Sequence, residues 1–87
     1  MASYRVEITA SAAKALARLP TADMARVVRA ITALASVPRP AGCRKLRGHE
    51  DVYRIRVGFY RVIYSIDGRR IIVVMLKLGH RKDVCRR

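Results

Sequence analysis

The chain has 87 residues, 52% of them hydrophobic, and it carries 19 Lys and Arg against 6 Asp and Glu, a formal net charge of +13. This length predicts one domain, residues 1–87, with a single small core. No apolar run reaches the 18 residues of a membrane span and residues 1–9 lack the apolar centre of a secretory signal, so we expect a cytoplasmic protein without a membrane partner.

The N-terminal residues predict a strand and then a helix. Tyr4–Thr9 alternates apolar with polar side chains, as a strand with one buried face does. Strong helix formers fill Ala12–Leu19, with Ser11 as the expected N-cap. Pro20 ends this helix, because the residue before a proline avoids the α region.

Thr21 is the expected N-cap of a second helix, with Asp23 in the first turn favouring the positive end of the helix dipole. Arg26 and Arg29 lie off its apolar stripe and are expected to face solvent. The short connection predicts an antiparallel helical hairpin. The residues of the core-facing stripe recur at helical spacing: Met24, Val27, Val28, Ile31, Leu34 and Ala35.

After a proline- and glycine-containing loop, Val37–Gly42, the sequence predicts a β-hairpin. Val52–Val57 has the period-2 pattern of a half-buried strand, and Phe59–Ile66 is a second β-rich run. Gly58 between them suits the positive φ of a tight turn.

The apolar run Arg70–Leu78 predicts a central strand covered on both faces. The predicted order is β-α-α-β-β-β. The fold class is therefore α+β, a small antiparallel-rich four-stranded sheet with the N-terminal helical hairpin packed on one face.

Residues 44–87 hold 13 of the 19 basic side chains, which indicates a polyanionic partner, with nucleic acid favoured over membrane. Adjacent strands would bring Arg54, Arg56 and Arg61 together on an open sheet face, where they suit a phosphodiester. A solvated face whose arginine stems cover apolar surface is the alternative. The other predicted members of this cluster flank the strands: Lys45, Arg47 and Arg81.

Proton transfer has less obvious candidates, because arginine is a poor general base. His80, Lys77, Lys45 and Cys85 remain, and His80 titrates nearest neutral pH. Phe59 beside the turn is free to stack on a base, whereas the tyrosines at strand spacing are expected in the core. The carboxylates are scattered and the cysteines lack metal spacing with the histidines, so we expect no metal and no cofactor.

Three strings resemble the RelE/ParE superfamily of type II toxin–antitoxin toxins, and the RelE branch in particular. They are KLRG (Lys45–Gly48), YRIRVGFYRVIYSI (Tyr53–Ile66) and LGHRKDV (Leu78–Val84). The resemblance implies a metal-independent, ribosome-dependent endoribonuclease that cuts mRNA in the A site by attack of the 2′-oxygen. It further implies contacts with 16S rRNA on the 70S ribosome and a hetero-oligomeric complex with a RelB-like antitoxin.

By position, the resemblance gives catalytic roles to Arg54 and Arg56, which are often lysines in the family. Arg61 and Arg81 match arginines assigned to phosphate binding and to stabilisation of the transition state or the leaving group. His80 and Cys85 complete the predicted catalytic set, Cys85 standing near a family tyrosine. RNA or ribosome contacts are predicted for Lys45, Arg47, Phe59 and Lys82. A ParE-like toxin that inhibits DNA gyrase without cutting RNA is the alternative function.

Overall fold

The computed structural model describes residues 3–46, 48 and 51–78. Two helices follow the first strand, and four strands follow the helices. The elements in chain order are β1 (Arg5–Ile8), α1 (Ala10–Ala17), α2 (Thr21–Ala33), β2 (Arg44–Lys45), β3 (Val52–Val57), β4 (Tyr60–Asp67) and β5 (Arg70–Leu78). Among the described residues, neither helix has the length and apolar character that crossing a bilayer requires.

All five strands form one mixed sheet in the order β1-β5-β4-β3-β2. The pairs β2–β3, β3–β4 and β4–β5 are antiparallel, while β1 pairs parallel with β5. The α+β fold is therefore confirmed, together with the helical hairpin. The predicted four-stranded sheet gains a fifth strand, β2, which has only two residues and lies at an edge.

The helical hairpin covers one face of the sheet, with α1 over β5 and α2 over β3. A parallel β1–β5 pair requires a crossover, and the two helices supply it. The core consists of the apolar side chains that these layers enclose: Ala12, Val27, Ile31, Leu34, Ile55, Val57, Val62, Tyr64, Ile71 and Val73. Among the described residues, no helix covers the opposite face of the sheet, which we call the open face.

Two helix starts differ from the prediction. The helix α1 begins at Ala10, because the Thr9 hydroxyl accepts a hydrogen bond from the Ala12 amide and so takes the capping role predicted for Ser11. The helix α2 is preceded by Pro20 as N-cap, without a side-chain cap. Within the predicted stripe of α2, Val27 and Ile31 are buried, whereas Val28 is exposed.

The prediction that the last strand is covered on both faces is wrong. The strand β5 is interior in the sheet order, but Val74 and Met75 are 36% and 41% exposed. Ile71 and Val73 on its other face are buried. The apolar run correctly indicated a strand with a neighbour on each side. It did not show whether both faces of that strand are covered by other layers.

Tyr64 ties β4 to the loop that follows α2. Its side chain is fully buried and its hydroxyl donates a 2.6 Å hydrogen bond to the carbonyl oxygen of Pro38. The Tyr53 ring stacks on the Tyr64 ring with centroids 5.9 Å apart. Burial raises the pKa of the Tyr64 phenol above its ordinary value, with the nearby Cys43 contributing in the same direction.

We predict that Tyr64→Phe lowers the free energy of unfolding by about 1–2 kcal/mol at pH 8, because the Pro38 carbonyl loses its partner. A phenol whose pKa is raised by folding stabilises the native state below the unfolded-state pKa of about 10 and loses that contribution at higher pH. Urea unfolding from pH 8 to 11 should therefore show the wild type and variant converging as pH rises. A constant difference between them would contradict the assignment.

Candidate nucleic-acid-binding face

The β3–β4 hairpin brings the predicted arginines together on the open face of the sheet. Gly58 has φ +61°, as the first position of a two-residue hairpin turn often requires. This turn sets the register, in which Arg56 pairs with Arg61 and Arg54 with Ile63. Residues directly opposite in antiparallel strands share a face with Cβ atoms about 4.5–5.5 Å apart. The three predicted arginines therefore stand on one face of the hairpin.

Two further cations join this face from the neighbouring strands. Arg44 on β2 pairs with Arg54, and Lys77 on β5 pairs with Arg61. We call the five side chains the arginine face: Arg44, Arg54, Arg56, Arg61 and Lys77. Three of its members and Gly42 line a cleft of about 290 Å³ at the β2–β3 side, namely Arg44, Arg54 and Arg56.

The ion pairs between described residues lie elsewhere on the sheet. Arg70 contacts Asp67 at 2.9 Å and Glu7 at 3.5 Å. The hydrogen bond that the Arg70 guanidinium donates to Asp67, together with the charge of Glu7, raises the pKa of Arg70. Within the described ranges, no carboxylate forms such a pair with the arginine face. A set of clustered, mutually repelling guanidiniums is suited to bind an anion, and their planar donor forks fit phosphate oxygens.

The first turn of α2 supports the end of the hairpin from the other face. The Tyr60 hydroxyl donates a 2.8 Å hydrogen bond to Asp23 Oδ2, and this bond raises the pKa of the Tyr60 phenol. Nearby, Arg26 Nη1 lies 3.2 Å from the position that a Cβ on Gly58 would occupy. Asp23 thus anchors the strand residue that directly precedes Arg61, and it helps to fix where that guanidinium stands.

The other residues predicted to contact RNA or the ribosome, or to take part in catalysis, do not all lie on the arginine face. Lys45 pairs with Tyr53 and so lies on the helical side of the sheet, away from the arginine face. Phe59 in the turn is 67% exposed, as expected of a side chain free to stack on a base. The strand β5 ends at Leu78, opposite Tyr60. Five predicted site residues lie outside the described residues: Arg47, His80, Arg81, Lys82 and Cys85.

Sequence reasoning missed Arg44 as a member of the site. The alternation of apolar and polar residues could not place Arg44, because the two-residue strand β2 is too short to show periodicity. Lys77 was considered as a base but was not placed among the phosphate ligands. Among the described residues, no three His, Cys, Asp or Glu side chains come together in a metal-binding group.

An apolar groove runs beside the arginine face, between α2, the following loop and β3. It has a volume of about 530 Å³, and Arg56 is a cation in its lining. The groove is otherwise formed by small or apolar residues, among them Ala30, Ala33, Val37 and Ile55. Its combination of an apolar floor and an arginine suits a segment that carries both apolar and acidic side chains.

Residues 6–84 match the family model described as ParE toxin of the type II toxin–antitoxin system parDE. The chain is 35% identical over 85 residues to Toxin RelG of Mycobacterium tuberculosis, covering 97% of this chain and 98% of that protein. The similarity therefore extends over the strands of the arginine face as well as over the helices.

Solved structures of similar fold include toxin–antitoxin complexes. The archaeal RelE–RelB complex from Pyrococcus horikoshii contains a chain with a TM-score of 0.80 and 38% identity, covering 90% of this chain and 97% of that one. The RelBE2 complex of Mycobacterium tuberculosis gives a TM-score of 0.76 and 26% identity, with 87% and 98% covered.

Proposed function

The chain belongs to the RelE/ParE superfamily of type II toxin–antitoxin toxins, and we propose that it is a ribosome-dependent endoribonuclease that cleaves mRNA in the A site. The observation that carries the proposal is the arginine face, with Arg56 directly opposite Arg61 and Arg54 on the same side. Clustered guanidiniums match the charge that develops on phosphorus during strand cleavage.

In the proposed reaction the 2′-oxygen of the RNA attacks the adjacent phosphorus. Its proton leaves to a base, the bond from phosphorus to the 5′-oxygen breaks, and that oxygen takes up a proton. The products are a 2′,3′-cyclic phosphate and a 5′-hydroxyl. Arg54, Arg56 and Arg61 bind the phosphate oxygens and stabilise the pentavalent transition state. The reaction needs no protein nucleophile.

We propose that the general base is one of four side chains: Lys77, Lys45, His80 or Cys85. Lys77 lies across from Arg61 on the arginine face, which favours it over Lys45 on the other side of the sheet. His80 and Cys85 stay candidates from the sequence, as does Arg81 for the leaving group. The ribosome supplies what these groups lack, since it holds the mRNA in one geometry with the 2′-oxygen in line for attack.

The family model itself is that of a ParE toxin, which makes a DNA-gyrase inhibitor the second candidate. One experiment separates the two. Purified protein is added to a translating extract and mRNA breaks are mapped by primer extension, while the same preparation is assayed for inhibition of gyrase supercoiling. Breaks within codons support the endoribonuclease, and inhibition of supercoiling without mRNA breaks supports the second candidate.

We further propose that a RelB-like antitoxin binds this chain in a hetero-oligomeric complex. The similar chains of known structure are seen in RelE–RelB and RelBE2 complexes. On this chain the apolar groove beside Arg56 offers apolar contact and a cation together. The net charge of +13 favours an acidic partner whose association is fast and salt-sensitive. A ribosomal target and such a partner both place the protein in the cytoplasm.

We predict that Ala33→Glu weakens antitoxin binding by about 10-fold or more. It introduces a charge into the groove that must be desolvated on binding and that repels acidic side chains. Thr32→Glu is the matched control, because Thr32 is an exposed neighbour on the same turn of α2 and does not line the groove. Titration of each variant with purified antitoxin measures the difference. Equal losses in both variants would place the antitoxin elsewhere.

A further inference from the structure

An irregularity in β5 gives the open face an apolar patch beside the arginine face. The pairing of β4 with β5 shifts between Ile63 and Tyr64, because Ile63 pairs with Met75 whereas Tyr64 pairs with Val73. Val74 is the extra residue of this bulge. Bulges redirect side chains at functional sites, and here Val74 and Met75 are both exposed, at 36% and 41%.

The N-cap of α1 holds this bulge in place. The Thr9 amide donates to the carbonyl oxygen of Val73 at 3.0 Å, and the Thr9 hydroxyl donates to that of Val74 at the same distance. The backbone at the bulge is therefore fixed by a residue from another element. The exposure of Val74 and Met75 therefore follows from the hydrogen-bonded backbone of the sheet.

The patch is continuous with the arginine face through two strand pairs. Ile63 lies between Arg54 on β3 and Met75 on β5, directly opposite both. Neighbouring strands are about 4.7–4.9 Å apart, so Met75 is two strand spacings from Arg54. On β5, Met75 is also two residues before Lys77 and shares its face.

We propose that Ile63, Val74 and Met75 form a platform that packs against a nucleobase of the RNA strand whose phosphate the arginine face binds. The inference rests on the RNA binding in the proposed function and names the base contact of that site. Single-stranded RNA presents unstacked bases next to its phosphates. A flat apolar surface beside a phosphate site is complementary to such a nucleotide, and a methionine thioether adapts to aromatic rings.

The test is binding of a short single-stranded RNA in which the 2′-hydroxyl at the cleavage position is removed, so that no cleavage occurs. The intact oligonucleotide is compared with versions that lack one base at each position in turn. We expect removal of one particular base to weaken binding to the wild type by about five-fold, as loss of a moderate apolar contact would. For Met75→Ser the same base removal should have no effect, and Met75→Leu should restore the wild-type response.

Val28→Ser is the control, because Val28 is exposed to the same 41% but lies on α2. It should respond to base removal as the wild type does. If base removal weakens binding equally in wild type and Met75→Ser, the platform is wrong although RNA binding stands. Absence of any binding of the intact oligonucleotide by the wild type overturns the RNA binding as well. A Met75→Ser variant that binds all the RNAs normally but loses affinity for antitoxin would make the patch an antitoxin surface and overturn the inference.

Discussion

Replacing Arg61 with alanine is expected to lower the rate of mRNA cleavage on the ribosome by about 100-fold or more, with the fold intact. The side chain lies opposite Arg56 and beside Lys77 in the middle of the arginine face. A charged donor that acts on the transition state contributes on the order of 10²–10³ in rate. The truncation leaves no described carboxylate without a partner, so thermal unfolding should change little.

Arg29→Ala is the matched control, because Arg29 is an exposed arginine on α2 and the substitution removes the same charge. Arg26 is less suitable, since its guanidinium lies against Gly58 in the hairpin turn. Single-turnover cleavage on programmed ribosomes measures both variants. Equal rates for Arg61→Ala and Arg29→Ala would show that net charge acts, and that the arginine face is not the reactive site.

Cleavage of naked RNA is expected to be slower than cleavage of the same codon on 70S ribosomes by on the order of 10³-fold or more. In the proposed function the arginine face binds phosphate, but it does not fix the position of the 2′-oxygen. Correct orientation of reacting groups contributes several orders of magnitude to rate, and in this proposal the ribosome supplies it. The measurement is single-turnover cleavage of one end-labelled mRNA, with and without ribosomes, at matched salt.

Salt must be fixed in that comparison because binding of a +13 protein to free RNA depends strongly on ionic strength. Saturating protein removes differences in binding and leaves the rate of the chemical step. A rate on naked RNA equal to that on ribosomes would show that the chain carries a complete active site. It would refute the ribosome requirement while leaving the phosphate role of the arginines in place.

Much of the candidate site was determined by the local sequence. The alternation in Val52–Val57 places Arg54 and Arg56 on the face opposite Ile55, because side chains of a strand alternate with period 2. Gly58 then fixes a two-residue turn, and the turn fixes the pairing of Arg56 with Arg61. Each step depends on neighbours within a few residues, which is why the three arginines were predictable.

The helical hairpin was predictable for the same reason, but its ends were not. The cap of α1 is Thr9, whose amide and hydroxyl also bond to β5. That role depends on a strand more than 60 residues away in the sequence, and the choice between Thr9 and Ser11 was settled by it. Intrinsic capping preference ranks serine above threonine, so by itself it favoured Ser11.

The sheet edges and the open face were decided only by the tertiary structure. The parallel pairing of β1 with β5 and the edge strand Arg44–Lys45 come from contacts between distant segments. The pairing of β2 with β3 puts Arg44 on the arginine face and Lys45 on the other side of the sheet. The apolar run of β5 gave no sign of its bulge, because periodicity reports on the residues of one strand whereas a bulge depends on the partner strand and on Thr9. The sequence by itself thus determined the arginine hairpin, and long-range pairing decided which cations and which apolar side chains surround it.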